Sequence, residues 1–429
     1  MVEIDARIRP RVETERGSAL LVTLCVTTSL LIGIGSYLLL VRAQYVSVVR
    51  SQAWNVAMTM AESGAEEALA QLNPGVFVQV PVIDRTANGW GAPVSGFYGP
   101  MSRNVTNTGS YAVVYSDDTY PIIYSTGYVT VPTLSCTIAR AIRVSTTNVP
   151  LFNVAMGART NVDLSGNGTS ANSFNSSSTN LSTNGRYDDA KTSTNGDVAV
   201  LYGTVDLGNH NISGDLFLGP TATLNTGTNQ VSGTIHTDYN YDYPEVVAPD
   251  TSGWFPLLTP PGGTINGVTY TYCFTNSGDY IIPSMSGSVY VGTNAQVRLL
   301  IQSGGTDSVL VAGNGADVGS KLTMYIASPS FTIGSGGSID GGRAANLAYY
   351  GLPSNTSINF NGNANFTGTI YAPDAAITLT GGGSDSYDFV GSCIGRSITI
   401  NGHFMFHFDE DLLTSGPSSG YVATHWTEI

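Results

Sequence analysis

Lysine is almost missing from this chain: Lys191 and Lys321 are the only two among 429 residues. Charge of any sign is scarce, at 11%, against about 25% in ordinary globular proteins. Six of the 17 basic and seven of the 31 acidic residues lie at or before Leu72, which leaves 11 basic and 24 acidic beyond it and places −13 of the net −14 there. Phosphate recognition needs clustered cations, so this balance argues against nucleic acid or anionic lipid as a partner of the C-terminal bulk. Cysteine is also sparse. Cys25 lies in an apolar run, and Cys136, Cys273 and Cys393 show no CxxC spacing, which excludes a zinc-ribbon pattern. One disulfide with one free thiol and three separate thiols are both compatible with three such cysteines.

Catalytic signatures are lacking too. Gly416-Pro417-Ser418-Ser419-Gly420 satisfies G-x-S-x-G, but in a Ser/Gly/Pro-rich tail without the strand and helix that a nucleophile elbow requires. Gly313 to Lys321 breaks the Gly-Lys-Ser/Thr order of a phosphate loop and reads as a turn. No cofactor pattern emerges, and the chain reads as a non-enzyme.

What is present begins with Ala19 to Val41, 23 residues without a charge, about what a helix needs to cross a hydrocarbon core. Arg7, Arg9, Arg11 and Arg16 precede it while Arg42 and Arg50 follow, which favours a cytoplasmic N-terminus and an exported C-terminal bulk. A cleaved secretory signal is the alternative. It is disfavoured because the run is too long and Leu40-Val41-Arg42 offers no small-x-small site. Helical spacing continues through Val46, Val49, Ala53, Ala57, Met60, Gly64, Ala68 and Leu72, and Asn73-Pro74-Gly75 breaks it. One helix over 18–72 would be roughly 80 Å long. The simpler alternative is a membrane helix followed by a separate juxtamembrane helix.

Glu15-Arg16-Gly17-Ser18-Ala19-Leu20-Leu21, the apolar core, Arg50-Ser51-Gln52-Ala53 and Met60-Ala61-Glu62-Ser63-Gly64-Ala65-Glu66-Glu67-Ala68 together resemble the N-terminal region of PilX-type minor pilins of the type IV pilin-like superfamily. The resemblance implies a leader over 1–17, cleavage after Gly17 by a prepilin peptidase, and Ser18 as the mature N-terminus. It also implies other pilin-like subunits and inner-membrane assembly proteins as partners. Val22 stands at the fifth mature position, where major pilins carry glutamate, and Ser18 replaces the common methylated aromatic, so the likeness is to a minor rather than a major subunit. The location it implies is the bacterial inner membrane, with the bulk periplasmic or at the cell surface.

Beyond the helix, residues 73–149 alternate. Val76–Val80, Tyr111–Tyr115, Pro121–Val129 and Ala139–Val144 read as strands between Asn/Asp/Gly turns. A small antiparallel β-domain of this kind would cover the helix face around Val56 and Met60. From 150 to 412 the background is rich in Asn, Gly, Ser and Thr, with short apolar strands. Ile212-Ser213-Gly214-Asp215-Leu216 recurs as Val231 to Ile235, and Phe366-Thr367-Gly368-Thr369-Ile370 recurs as Phe389 to Cys393. Offsets of 19 and 23 residues between partners suit one coil of a β-solenoid or β-helix. The fold class is therefore mainly β with one long N-terminal helix, a small antiparallel sheet and an irregular β-solenoid, with a β-sandwich as the alternative. The segment Phe366 to Leu412 is similar to the uncharacterised C-terminal domain of large pilin-like proteins. Residues 413–429 read as a flexible tail.

Two stretches inside the solenoid stand apart. Asp238 to Pro261 gathers tyrosines, Trp254 and prolines, and reads as an excursion whose aromatics pack over the coils, with contact to extracellular glycans as the sharper alternative. His403 to Asp411 is the densest ligand-type cluster. As a strand it would put His403, Met405, His407 and Asp409 on one face and Phe404, Phe406 and Phe408 on the other. Positions i and i+4 of a strand stand about 13 Å apart, too far for one metal ion, so capping of the last coil is the favoured role and no metal is assigned. Three functions follow: a displayed structural or adhesive pilin-like subunit, an anchored polysaccharide-binding or polysaccharide-cleaving β-helix, and a fixed inner-membrane scaffold.

Overall fold

The computed structural model describes residues 16–73, 88–131, 135–166, 170–225, 228–241, 243–313, 319–339, 343–361, 363–381 and 387–429. The protein is mainly β with one long N-terminal helix, and it divides into two compact units. One holds residues up to Ala68, Arg85–Thr146 and Ala423–Ile429; the other holds Leu69–Asp84 and Thr147–Val422. The strand expected over Val76–Val80 lies outside the described residues.

Helix α1 runs unbroken over Arg16–Leu72, 57 residues or about 85 Å. Its first half is bare: Leu20, Leu31, Ile32 and Leu39 are each more than 60% exposed. In the second half one stripe is buried, at Ala53, Ala57, Met60, Ala61, Ala65 and Ala68. Val56, expected beside Met60 on this face, is 42% exposed, because the stripe repeats at three- and four-residue steps and Val56 falls one position off it. The stripe is nearly all alanine, so the sheet comes close to the helix backbone.

That sheet consists of β1 (Phe97–Asn104), β2 (Gly109–Ser116), β3 (Ile122–Val131) and β4 (Cys136–Pro150), joined beyond β4 by the C-terminal strand Ser418–Glu428. The pairs β1 with β2, β2 with β3 and β3 with β4 are antiparallel. Tyr111, Val113, Tyr115, Ile123, Ile142 and Val144 point inward, as strict alternation on a one-sided sheet requires. The flexible tail expected over 413–429 is therefore corrected. Val422, Thr424 and Trp426 are good strand formers, and Arg140 of β4 grips Glu428 with two charge-assisted hydrogen bonds.

In the second unit the strands of the large sheet stack in parallel register, each on a strand about one coil away, while Gly263–Ile265 and Val268–Tyr270 form a separate antiparallel hairpin. One inward column reads Tyr280, Leu299, Met324, Tyr349, Ile370 and Cys393, at steps of 19 to 25 residues. It does not end at Cys393. Met156 pairs next to it, and Val198, Leu216 and Ile235 follow. The chain thus enters this stack in the middle, builds outward to Ile235, and resumes at the opposite end near Phe255, which pairs with Tyr280. The four sequence repeats share a second column, Phe366, Phe389, Phe406, Ala171, Ile212 and Val231. Its phenylalanines stack at 4.6 and 4.4 Å between ring centroids. Gly368 and Gly391 align at one corner, where a Cβ on Gly391 would stand 1.9 Å from the Gly368 carbonyl oxygen. Only glycine fits there.

Crossing from Ile235 back to Tyr280 spans nine rungs, about 43 Å at the usual strand spacing. The excursion predicted over Asp238 to Pro261 provides that crossing as a strap. It lies on an outward column of Ile281, Leu300, Tyr325, Tyr350, Tyr371 and Ile394, and Tyr243, Val246 and Trp254 form a second buried cluster with these residues.

Candidate functional site

Gly17 and Ser18 lie in the first turn described for α1, ahead of the bare apolar stretch. Among the described residues α1 is long and apolar enough to cross a membrane, with a mean hydropathy of 2.1 over a window that the rest of the chain leaves bare. This apolar stretch, with Gly17 and Ser18 ahead of it, is the first candidate site.

The second is built on the strand Phe404–Asp409. Phe404 and Phe406 enter the main core, but Phe408 joins the cluster beneath the strap, so the three do not share one surroundings as expected. His407 is 3% exposed and Asp409 1%. The His407 ring stacks on Tyr187 at 3.5 Å and 19°. Its Nδ1 is 2.6 Å from Asn172 Oδ1 and its Nε2 3.2 Å from Asp388 Oδ1. Asn172 in turn donates to the Tyr187 hydroxyl at 3.2 Å. Among the described residues no three His, Cys, Asp or Glu side chains are arranged to hold a metal ion. Asn172, Tyr187 and Asp388 were not legible as partners of His407, since Asn172 sits 235 positions away in an Asn/Ser-rich tract.

The three acidic residues that follow hold the loop before Asn195. Asp409 Oδ1 accepts from the backbone N–H groups of Ser176 and Asp411 at 2.9 and 3.2 Å. Glu410 accepts from Ser173 and Asn195, and Asp411 from Ser177 and Ser415. Arg343 approaches Asp411 at 3.5 Å. Burial of the Asp409 carboxyl pushes it up to about 6, against the two backbone donors that favour its charged form. The arrangement can bind a loop to the coil of Phe404–Asp409, which lies inside the stack between Tyr387–Ile400 and Ser170–Phe174 and not at its end, so the expected capping of the last coil is corrected.

All four cysteines are free, so the disulfide alternative is not realised. Cys393 is fully buried and its thiol is held well above its usual range by that burial. Ser418 donates to the carbonyls of Val149 and Gly420. In the strap, Tyr239 stacks on Tyr241 at 6.1 Å and 11°, and Tyr243 and Trp254 are buried.

The profile of a family described as a domain of unknown function (DUF7305) matches residues 264–415, from the hairpin at one end of the stack to just past the acidic triplet. No curated protein matches the chain. A solved structure of the competence-associated pilin ComZ from Thermus thermophilus aligns with 12% identity over 88% of this chain and 98% of that one, at a TM-score of 0.30.

Proposed function

We propose that this chain is a membrane-inserted, minor-pilin-like structural subunit that displays a β-solenoid for surface interaction or adhesion in a type IV pilus or pseudopilus assembly, without chemistry of its own. The observation that carries the reading is the division of labour along α1. An uncharged, fully bare half precedes a half whose alanine stripe is buried under an antiparallel sheet. Such a helix serves two environments at once, lipid or neighbouring helices first and its own sheet second. The N-terminal motif ending in Gly17 and Ser18 adds processing by a prepilin peptidase and partnership with other pilin-like subunits and inner-membrane assembly proteins. The parallel columns of the second unit support a solenoid, in which each rung hydrogen-bonds to its neighbours and hides its apolar face only by stacking. The bulk would then lie in the periplasm or at the cell surface.

The test is the mature N-terminus of protein recovered from cells, by mass spectrometry, with a prepilin-peptidase-deficient strain beside it. A start at Ser18 that disappears in the deficient strain is expected. An intact Met1 in both strains, or a cut beyond Val41, overturns the proposal.

A further inference from the structure

At one corner of the stack, four successive rungs present Asp374, Arg396, Arg159 and Tyr202. The corner arises because the pairing of Ala372 with Gly395 and of Gly395 with Ala158 is followed each time by a register irregularity, which turns the next side chains outward. The rungs are tied by backbone: Thr160 Oγ1 donates to the Arg396 carbonyl at 2.8 Å, and the Tyr202 N–H to the Arg159 carbonyl at 2.9 Å. Arg159 reaches across the Arg396 rung to Asp374, at 2.6 Å, and donates also to the Tyr243 carbonyl of the strap. Its guanidinium is therefore fixed in place. Arg396 is exposed and forms no ion pair among the described residues. Two arginines with one carboxylate make this corner locally positive in a chain of net charge −14.

Tyr202 completes the arrangement. It is 59% exposed and makes no ring contact among the described residues, whereas the other outward aromatics near it, Phe217 and His236, use their faces on each other. We propose that the Asp374, Arg396, Arg159 and Tyr202 corner binds a carboxylate-bearing polysaccharide. The unpaired Arg396 fork would take a sugar carboxylate in bidentate fashion, beside the Arg159–Asp374 ion pair, and the free Tyr202 face would take the apolar face of the adjoining ring. The acidic remainder of the surface repels polyanions generally, so a ligand with spaced carboxylates fits this corner better than a dense one. This rests on the reading of the stack as a displayed interaction domain.

The experiment uses the full chain in detergent and isothermal titration with an oligogalacturonate, a neutral malto-oligosaccharide of equal length, a polyglutamate peptide and inorganic phosphate. The oligogalacturonate is expected to bind, and the neutral oligomer not to. Arg396→Gln should weaken binding about 10- to 100-fold, the worth of a charge-assisted bidentate contact. Tyr202→Ala should weaken it several-fold while Tyr202→Phe keeps it, and raising salt from about 0.05 to about 0.5 M should weaken it further. Both side chains are exposed, and unchanged circular dichroism verifies folding of the variants. Absence of oligogalacturonate binding, equal binding by Arg396→Gln, polyglutamate binding more tightly, or phosphate competing at equal affinity each overturns the proposal. A mature N-terminus at Ser18 together with absent sugar binding would sink this inference alone, and the reverse pair of results would sink the pilin reading alone.

Discussion

Gly127 of β3 lies against the backbone of Ala57 in α1, so close that a Cβ built on it would stand 2.1 Å from the Ala57 carbonyl oxygen and 2.5 Å from the Ala61 nitrogen. Backbone cannot rotate away as a side chain can. Gly127→Ala should therefore push the sheet off the helix and destabilise the first unit by at least about 1–3 kcal/mol, the usual range for overpacking. Urea unfolding followed by tyrosine and tryptophan fluorescence measures it. A loss below about 0.5 kcal/mol would mean that the sheet does not sit on the alanine stripe as described.

Glu67 is the polar tie between the same two elements. Its carboxylate accepts from Arg103 Nε at 2.6 Å and from the Tyr111 hydroxyl. Burial raises the Glu67 carboxyl, but the Arg103 and Tyr111 hydrogen bonds together outweigh it and hold the group below its usual range, while burial and the Glu67 contact push the Tyr111 phenol up to about 12. A depressed carboxyl stabilises the fold above the unfolded value near 4.5 and loses that contribution as pH falls through the lower folded value. Tyr111→Phe should cost about 1–2 kcal/mol at neutral pH, and the cost should shrink below about pH 4. Arg103 is half exposed, so Arg103→Gln should cost less.

Asp409 behaves in the opposite sense. Its carboxyl is pushed up to about 6, and Oδ2 has no hydrogen-bond partner among the described residues. The protonated form stabilises the fold fully below about pH 4, and that contribution is lost as pH rises through about 6, so keeping the group ionised at neutral pH costs about 3 kcal/mol. Asp409→Asn retains an oxygen for the N–H groups of Ser176 and Asp411 and brings no charge. The variant should match the parent near pH 4 and exceed it by about 2–3 kcal/mol at pH 8 in urea unfolding. A difference independent of pH would contradict this account.

Local pattern carried much of the architecture into the sequence. The helix from Ser18 to Leu72, the strands around Tyr111, Ile123 and Ile142, and the repeats at Ile212, Val231, Phe366 and Phe389 each lie where periodicity placed them. The order of the rungs was not legible. Nothing near Met156 or Cys393 says that these residues are neighbours, because parallel pairing needs only two compatible apolar strands and register is decided by the whole stack. The site around His407 was hidden for the same reason, since Asn172 reaches it only through that junction. The C-terminal strand Ser418–Glu428 was not legible because it opens on Ser418-Ser419-Gly420, residues that by themselves read as a turn.

The same junction explains the strap, and with it the last prediction. A chain that enters its stack at Met156 and fills one end by Ile235 must cross the full length of the stack before it can continue, and among the described residues the crossing has little backbone pairing, the Tyr239 N–H on the Leu218 carbonyl and a bridge at Val246. Such a segment stays down mainly through side chains. Trp254 packs on Tyr325 at 6.3 Å with Arg298 over its ring at 5.0 Å, Tyr243 is fully buried, and the Tyr371 hydroxyl donates to the Pro244 carbonyl at 2.7 Å. Tyr371→Phe keeps the packing and removes one bond, about 1 kcal/mol, so protease cleavage between Thr237 and Trp254 should accelerate about fivefold. Trp254→Ala removes a ring and its cation contact together, worth about 3–5 kcal/mol, and should accelerate cleavage by about a hundredfold or more. Because opening of the strap precedes cleavage, both rates report its local stability. The coils beneath are held by their own ladders, so global unfolding in urea should shift much less than strap cleavage does. Equal shifts in the two measurements would show that the strap and the stack open as one unit.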